Sequence, residues 1–80
     1  MAFRSGDGDR RSDGDIKDDV MQTIRADAEI NSDHVVINVT NGIVTLTGRV
    51  GSWIQQQRAE EHALRIPGVV EVDNDLQANG

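Results

Sequence analysis

The chain has no cysteine, no tyrosine, a single proline and only two aromatic residues, Phe3 and Trp53. Without cysteine there is no disulfide to reinforce a fold, and zinc, haem and redox motifs built on thiolates are excluded. Without aromatic bulk, the core has to come from aliphatic side chains. Basic clusters are missing too: 8 Lys and Arg stand against 14 Asp and Glu, for a formal net charge of -6. Phosphate backbones are bound by grouped Lys and Arg, so this balance excludes a nucleic-acid binder and opposes anionic lipid. No apolar run approaches the ~18 residues of a membrane span, so the chain is not expected to be transmembrane. The opening Met1-Ala2-Phe3-Arg4-Ser5-Gly6-Asp7-Gly8 lacks the apolar stretch of a secretory signal, which places the chain in the cytoplasm if it is complete. The same residues fit a piece of a longer protein.

What is present is enough for one domain. At 80 residues a chain buries only about 60% of the surface its unfolded form exposes, so the core is thin. Residues 1–14 are Gly, Ser, Asp and Arg with almost nothing apolar, and read as a disordered tail or linker. The domain proper is expected over 15–77, with 78–80 as a disordered C-terminus.

From about Asp15, Ile16, Val20 and Ile24 recur every four residues, and Ala28 continues the stripe. Met21 widens it, and polar residues fill the rest, the pattern of an amphipathic helix. Asp13 or Asp15 is expected to cap it. Asn31-Ser32-Asp33 then breaks the pattern as a loop.

His34–Thr40 and Ile43–Val50 are rich in β-branched residues and are joined by Asn41-Gly42, the preferred pair for a two-residue type I′ turn. That loop pairs Thr40 with Ile43, Val39 with Val44 and Ile37 with Leu46. The side-chain period of two then puts the last four on one face. Turn chemistry and hydrophobic pattern select the same register.

Ser52 and Gln55 have the spacing of a capping box and open a second helix with an inward stripe of Ala59, Ala63 and Ile66. The two alanines allow a close approach to a sheet. Pro67-Gly68 ends the helix, and Val69–Leu76 reads as a third strand. In it Val70, Val72 and Leu76 point one way while Glu71, Asp73 and Asp75 point the other. The strand–helix–strand unit makes the third strand parallel to the second. It is placed beside the first strand, which would then be central. The fold class is an α/β two-layer sandwich, αββαβ, with a three-stranded mixed sheet covered on one face by two helices.

The stretch Val35 to Val50, with Val44, Leu46, Gly48 and Val50 in its second strand, resembles the core of the BON domain family of bacterial osmotically inducible and nodulation proteins. Ala59 and Ala63 match that family's helix, and Pro67-Gly68-Val69-Val70-Glu71-Val72 matches its last element. The resemblance covers about residues 16 to 77. It implies a binding module with no catalytic residues or cofactor. Such a module docks to phospholipid or to an envelope protein under osmotic stress, typically in the periplasm and often in tandem copies or attached to other domains.

Several constellations carry little chemistry. His34 and His62 lack the convergent spacing of metal ligands, and no nucleophile-elbow sequence positions Ser52 for catalysis. Gly48-Arg49-Val50-Gly51 has the Gly-x-x-Gly form of an RNA-clamping loop but leaves a strand in an acidic domain. Gly48 is expected to spare room where a helix crosses the sheet. The row Glu71, Asp73, Asp75 is a solvated strand face that could attract a cation.

By elimination the contact surface falls at the start of the second helix: Arg49, Ser52, Trp53, Ile54 and Gln56. That segment combines an indole, a neighbouring aliphatic side chain, a cation and the open N–H groups of a helix N-terminus. The structural alternative for Trp53 is to pack over the sheet edge as a hydrophobic staple with Val50 or as a local cap. The expected occupant is phospholipid or an envelope protein, bound weakly. The alternative is a cytoplasmic protein-interaction or cation- or ligand-responsive domain of a larger protein.

Overall fold

The computed structural model describes residues 12–78. Elements follow in the order α1 (Asp13–Ala26), β1 (Val35–Thr40), β2 (Ile43–Val50), α2 (Trp53–Leu64) and β3 (Glu71–Ala78). Both helices lie on one face of the sheet, so the fold is the two-layer α/β sandwich the sequence implies. The tail expected over 1–14 falls mostly outside the described residues, as do 79 and 80. Residues 13 and 14 and Ala78 belong to regular elements.

α1 starts earlier than Asp15 because Ser12, not an aspartate, is its cap. The Ser12 hydroxyl accepts the Asp15 N–H at 3.0 Å. Asp13 does something else: its two carboxylate oxygens accept the N–H groups of Asn41 and Gly42 at 3.0 and 3.1 Å. The helix's first residue thus grips the hairpin turn. Ile16, Val20 and Ile24 are buried as their spacing requires, but Ala28 is exposed. Asp27 stops the helix by turning extended, with its Oδ1 accepting the Glu29 N–H at 2.9 Å. Ile30, beyond that turn, packs into the core instead.

The hairpin has the expected register, Thr40 with Ile43, Val39 with Val44 and Ile37 with Leu46. Asn41 and Gly42 both hold positive φ, 54° and 80°, as a type I′ turn demands. β3 is parallel to β2 and pairs with it directly over eight residues, Ile43 with Glu71 through Val50 with Ala78. The sheet order is β1-β2-β3, so β2, not β1, is central. Two local facts enforce this. Gly42 stands so close to Gly68 and Val70 that an added Cβ would come within 2.9 Å of both. The Val70 N–H donates to the Gly42 carbonyl at 2.8 Å, which seeds the ladder on β2's open side. Val70 itself is held outside and is exposed, so the inward row of β3 starts at Val72.

Gly48 is needed for a different reason from the one its position suggested. Its φ is 111°, and a Cβ there would lie 1.8 Å from the His34 carbonyl oxygen. The intruder is the backbone leading into the neighbouring strand β1, not a helix, and the same carbonyl accepts the Arg49 N–H at 3.1 Å. Under α2 the core is Val44, Leu46, Val50, Ala59, Ala63 and Leu76. Asn74 occupies an inward position of β3 with its amide satisfied. It donates to the Gln56 carbonyl and to Glu60 Oε1, at 3.0 and 3.1 Å, and accepts from the Leu76 N–H. It ties α2 to β3 by hydrogen bonds where a stripe of alanines cannot reach.

Candidate functional site

The five residues singled out in sequence meet different fates at the β2–α2 junction. Ser52 is the N-cap of α2, its hydroxyl accepting the Gln55 N–H at 3.3 Å. The capping box is not closed reciprocally. Gln55 Oε1 instead accepts the N–H groups of Gly51, at 3.2 Å, and Asn31, at 2.9 Å. That second bond stitches the α1–β1 loop to the start of α2, a contact with no signal in local sequence. Gln56 is half-buried and its carbonyl is held by Asn74. Ser52 and Gln56 are therefore engaged in building the junction.

Trp53 and Ile54 are not. They are adjacent in the first turn of α2 and are 62% and 60% exposed. The N–H groups of these residues precede the first intrahelical bond, from Gln56 to Ser52, and have no partner among the described residues. Arg49 is exposed at the end of β2. It borders an open cleft of about 440 Å³ lined also by Asn31, His34, Gly48, Val50 and Gly51. Trp53 and Ile54 stand outside this cleft. The junction thus presents two adjoining features, an apolar pair on a helix start and a cation at the lip of a shallow depression.

A second cluster escaped the sequence reading. Asp27, at the end of α1, receives Arg58 and His62 from α2. Arg58 Nη2 and Nε lie 2.7 and 2.9 Å from Asp27 Oδ2, and His62 Nε2 lies 2.8 Å from the same oxygen. The Asp27 side chain is 7% exposed. The His62 contact, the Glu29 N–H and the Arg58 guanidinium together hold its carboxyl down at about 2, outweighing the opposing effect of burial. In turn the carboxylate raises the Arg58 pKa. The signal was available: Arg58 and His62 are four apart and so share a helix face, and Asp27 directly follows the apolar stripe of α1. A carboxylate at the end of α1 gripped by two side chains of α2 has the form of a clamp between helices.

The other sequence candidates stay apart. Glu71, Asp73 and Asp75 are exposed along β3's outer face. Among the described residues no three His, Asp or Glu side chains gather closely enough to hold a metal ion. No helix among them is long and apolar enough to cross a membrane.

Comparison with known proteins adds the following. The family model described as BON domain matches residues 12–80. Osmotically-inducible protein Y of Escherichia coli (strain K12) is 39% identical over 70 residues, covering 88% of this chain and 33% of that protein. The chain therefore spans about a third of the length of this curated relative.

Proposed function

The chain belongs to the BON domain family, and we propose that it is a non-catalytic docking module whose contact surface is the first turn of α2. The observation that carries this reading is that the bulkiest side chain of the domain, Trp53, and its neighbour Ile54 are both exposed in one helical turn. A tryptophan held in water has no folding role that the packing explains, while an indole at an apolar–aqueous boundary is favoured in both membrane and protein interfaces. The occupant we assign is the interfacial region of a phospholipid surface of the cell envelope. The indole and Ile54 enter the acyl boundary, while Arg49 and the open N–H groups of α2 face the polar head groups. The relative is named for osmotic induction, and by that likeness the docking belongs to the envelope's response to osmotic stress. Affinity is low, because one indole, one isoleucine and one cation work against a net charge of -6.

Trp53 is the chain's own reporter, being its single tryptophan. Titration with zwitterionic phosphatidylcholine vesicles should shift its emission to the blue, with a smaller shift on phosphatidylglycerol vesicles at low salt. Trp53→Ala should weaken vesicle co-sedimentation roughly tenfold. Unchanged emission on both vesicle types, or co-sedimentation of Trp53→Ala equal to that of the native chain, overturns the reading.

A further inference from the structure

The two edges of the sheet are treated differently. β3 carries Glu71, Asp73 and Asp75 along its exposed face, the kind of charge that keeps an edge from pairing. β1 reads Val35-Val36-Ile37-Asn38-Val39-Thr40, with no charged residue and no proline. Val36 is 53% exposed, and Val35 and Val39 are only half-buried at the margin of the core. Because a two-residue hairpin closes on a hydrogen-bonded pair, Thr40, Asn38 and Val36 turn their backbone groups toward β2. Ile37 and Val39 therefore present theirs outward, and no strand pairs with that side among the described residues.

We propose that β1's outer edge is a self-association surface, on which a second copy of this chain pairs its own β1 antiparallel about a two-fold axis at Asn38. The strand is complementary to itself in that register. Ile37 exchanges both backbone hydrogen bonds with Val39 of the partner subunit, and the reverse pair repeats them. Ile37 and Val39 then extend one core beneath a continuous sheet. On the outer face Val36 stands beside Thr40 of the partner subunit, and the two Asn38 amides face each other. Isologous contacts of this kind are the commonest basis of dimers.

A copy of the same chain fits this edge because its own β1 brings no charged side chain to the seam. The hydrogen bonds from Asn41 and Gly42 to Asp13 fix the start of α1 at the end of β1, so helix and strand run side by side in opposite directions. The axis therefore lays the two α1 helices antiparallel as well, with the start of one toward the end of the other. The residues of α1 that border α2, Thr23, Ala26 and Asp27, are on its other flank. This edge is separate from Trp53, so the dimer stands or falls independently of lipid docking.

Sedimentation velocity over a wide concentration range should show a monomer–dimer equilibrium in the native chain. Asn38→Lys changes an exposed side chain and sets like charges on the axis, so it should raise the dimer Kd roughly tenfold or more with the circular dichroism spectrum unchanged. Since the chain has no cysteine, Asn38→Cys gives a clean geometric test. Position 38 is a non-hydrogen-bonded pair across the axis, where Cβ atoms are closest, so mild oxidation should yield a covalent dimer. Asp75→Cys, on the guarded edge, should not cross-link. A native chain that stays monomeric throughout overturns the proposal. So does a dimer that survives Asn38→Lys, or one that dissociates on Trp53→Ala instead, or equal cross-linking from positions 38 and 75.

Discussion

α2 inverts the usual assignment of size to depth. Its smallest apolar residues, Ala59 and Ala63, are fully buried, while its largest, Trp53, Ile54 and Leu64, are 62%, 60% and 53% exposed. If the fold alone had selected this helix, the larger side chains would be inside, where each would contribute about 1.5–3 kcal/mol by burial. Two constraints act instead on two faces. The inner face must approach a sheet whose own Leu46 and Val44 already fill the space between layers, so it can carry nothing larger than methyl groups. The outer face is released from close packing, and apolar side chains persist there more than half exposed. A helix whose inner face is decided by close packing and whose outer face is not decided by the fold at all points to external contact at the latter.

The sharpest way to break this contrast is to enlarge the inner face. Ala63→Leu introduces three extra carbons into a site that is 0% exposed. It should cost about 1–3 kcal/mol through strained rotamers and displacement of α2. For a domain of this size each kcal/mol lowers the melting temperature by about 4–8 °C, read by circular dichroism. If Ala63→Leu melts with the native chain, the alanines are not the device that sets the helix's distance from the sheet.

A smaller effect is expected on the flank of α2, where Arg58 and His62 close on Asp27. The Asp27 carboxyl is held at about 2 in the folded chain against 3.8 as its ordinary value. A depressed folded value means that the unfolded chain takes up the proton first as pH falls. The stabilisation is therefore complete above about pH 4 and is lost as pH drops from there through about 2. Asp27→Asn should melt below the native chain at neutral pH, and the gap should narrow across that window. The size is moderated by solvent, because the Arg58 side chain is 41% exposed. A gap that stays constant between pH 5 and pH 2 would show that the clamp contributes through shape and not through charge.

How much of this was legible depended on the range over which each residue acts. The hairpin was readable because Asn41-Gly42, the alternation of Val39, Val44, Ile37 and Leu46, and the strand lengths are all local and agree. The sheet order was not, because β3's neighbour is decided by the Gly42 contact with Gly68 and Val70, residues distant in sequence. Gly48 was legible as a glycine that matters but not as the seat of the His34 carbonyl, since a backbone approach leaves no mark on side-chain pattern. For the same reason Asp13's hold on the turn and Gln55's on Asn31 were invisible, and local rules assigned both side chains to helix caps. At the candidate surface, Trp53 could be named from composition, but its exposure could not. A wheel places it off the alanine stripe without saying whether a neighbouring loop covers it.

The least expected effect is also the one that separates the two faces most cleanly. Trp53→Ala removes the bulkiest side chain in the chain, yet it should change stability by no more than about 0.5 kcal/mol, because an exposed surface position loses little packing on truncation. Ser52, not Trp53, caps α2, and its hydroxyl bond to the Gln55 N–H does not involve the indole. Alanine also has the higher helix propensity, which offsets part of what contact remains. Equilibrium urea unfolding of the native chain and of Trp53→Ala should therefore give superimposable midpoints, followed by far-ultraviolet circular dichroism since the variant has no indole to report. A fall in midpoint matching that of Ala63→Leu would place Trp53 within the folding unit. The apolar pair at the start of α2 would then be part of how the domain holds together, and no longer a surface kept free for something else.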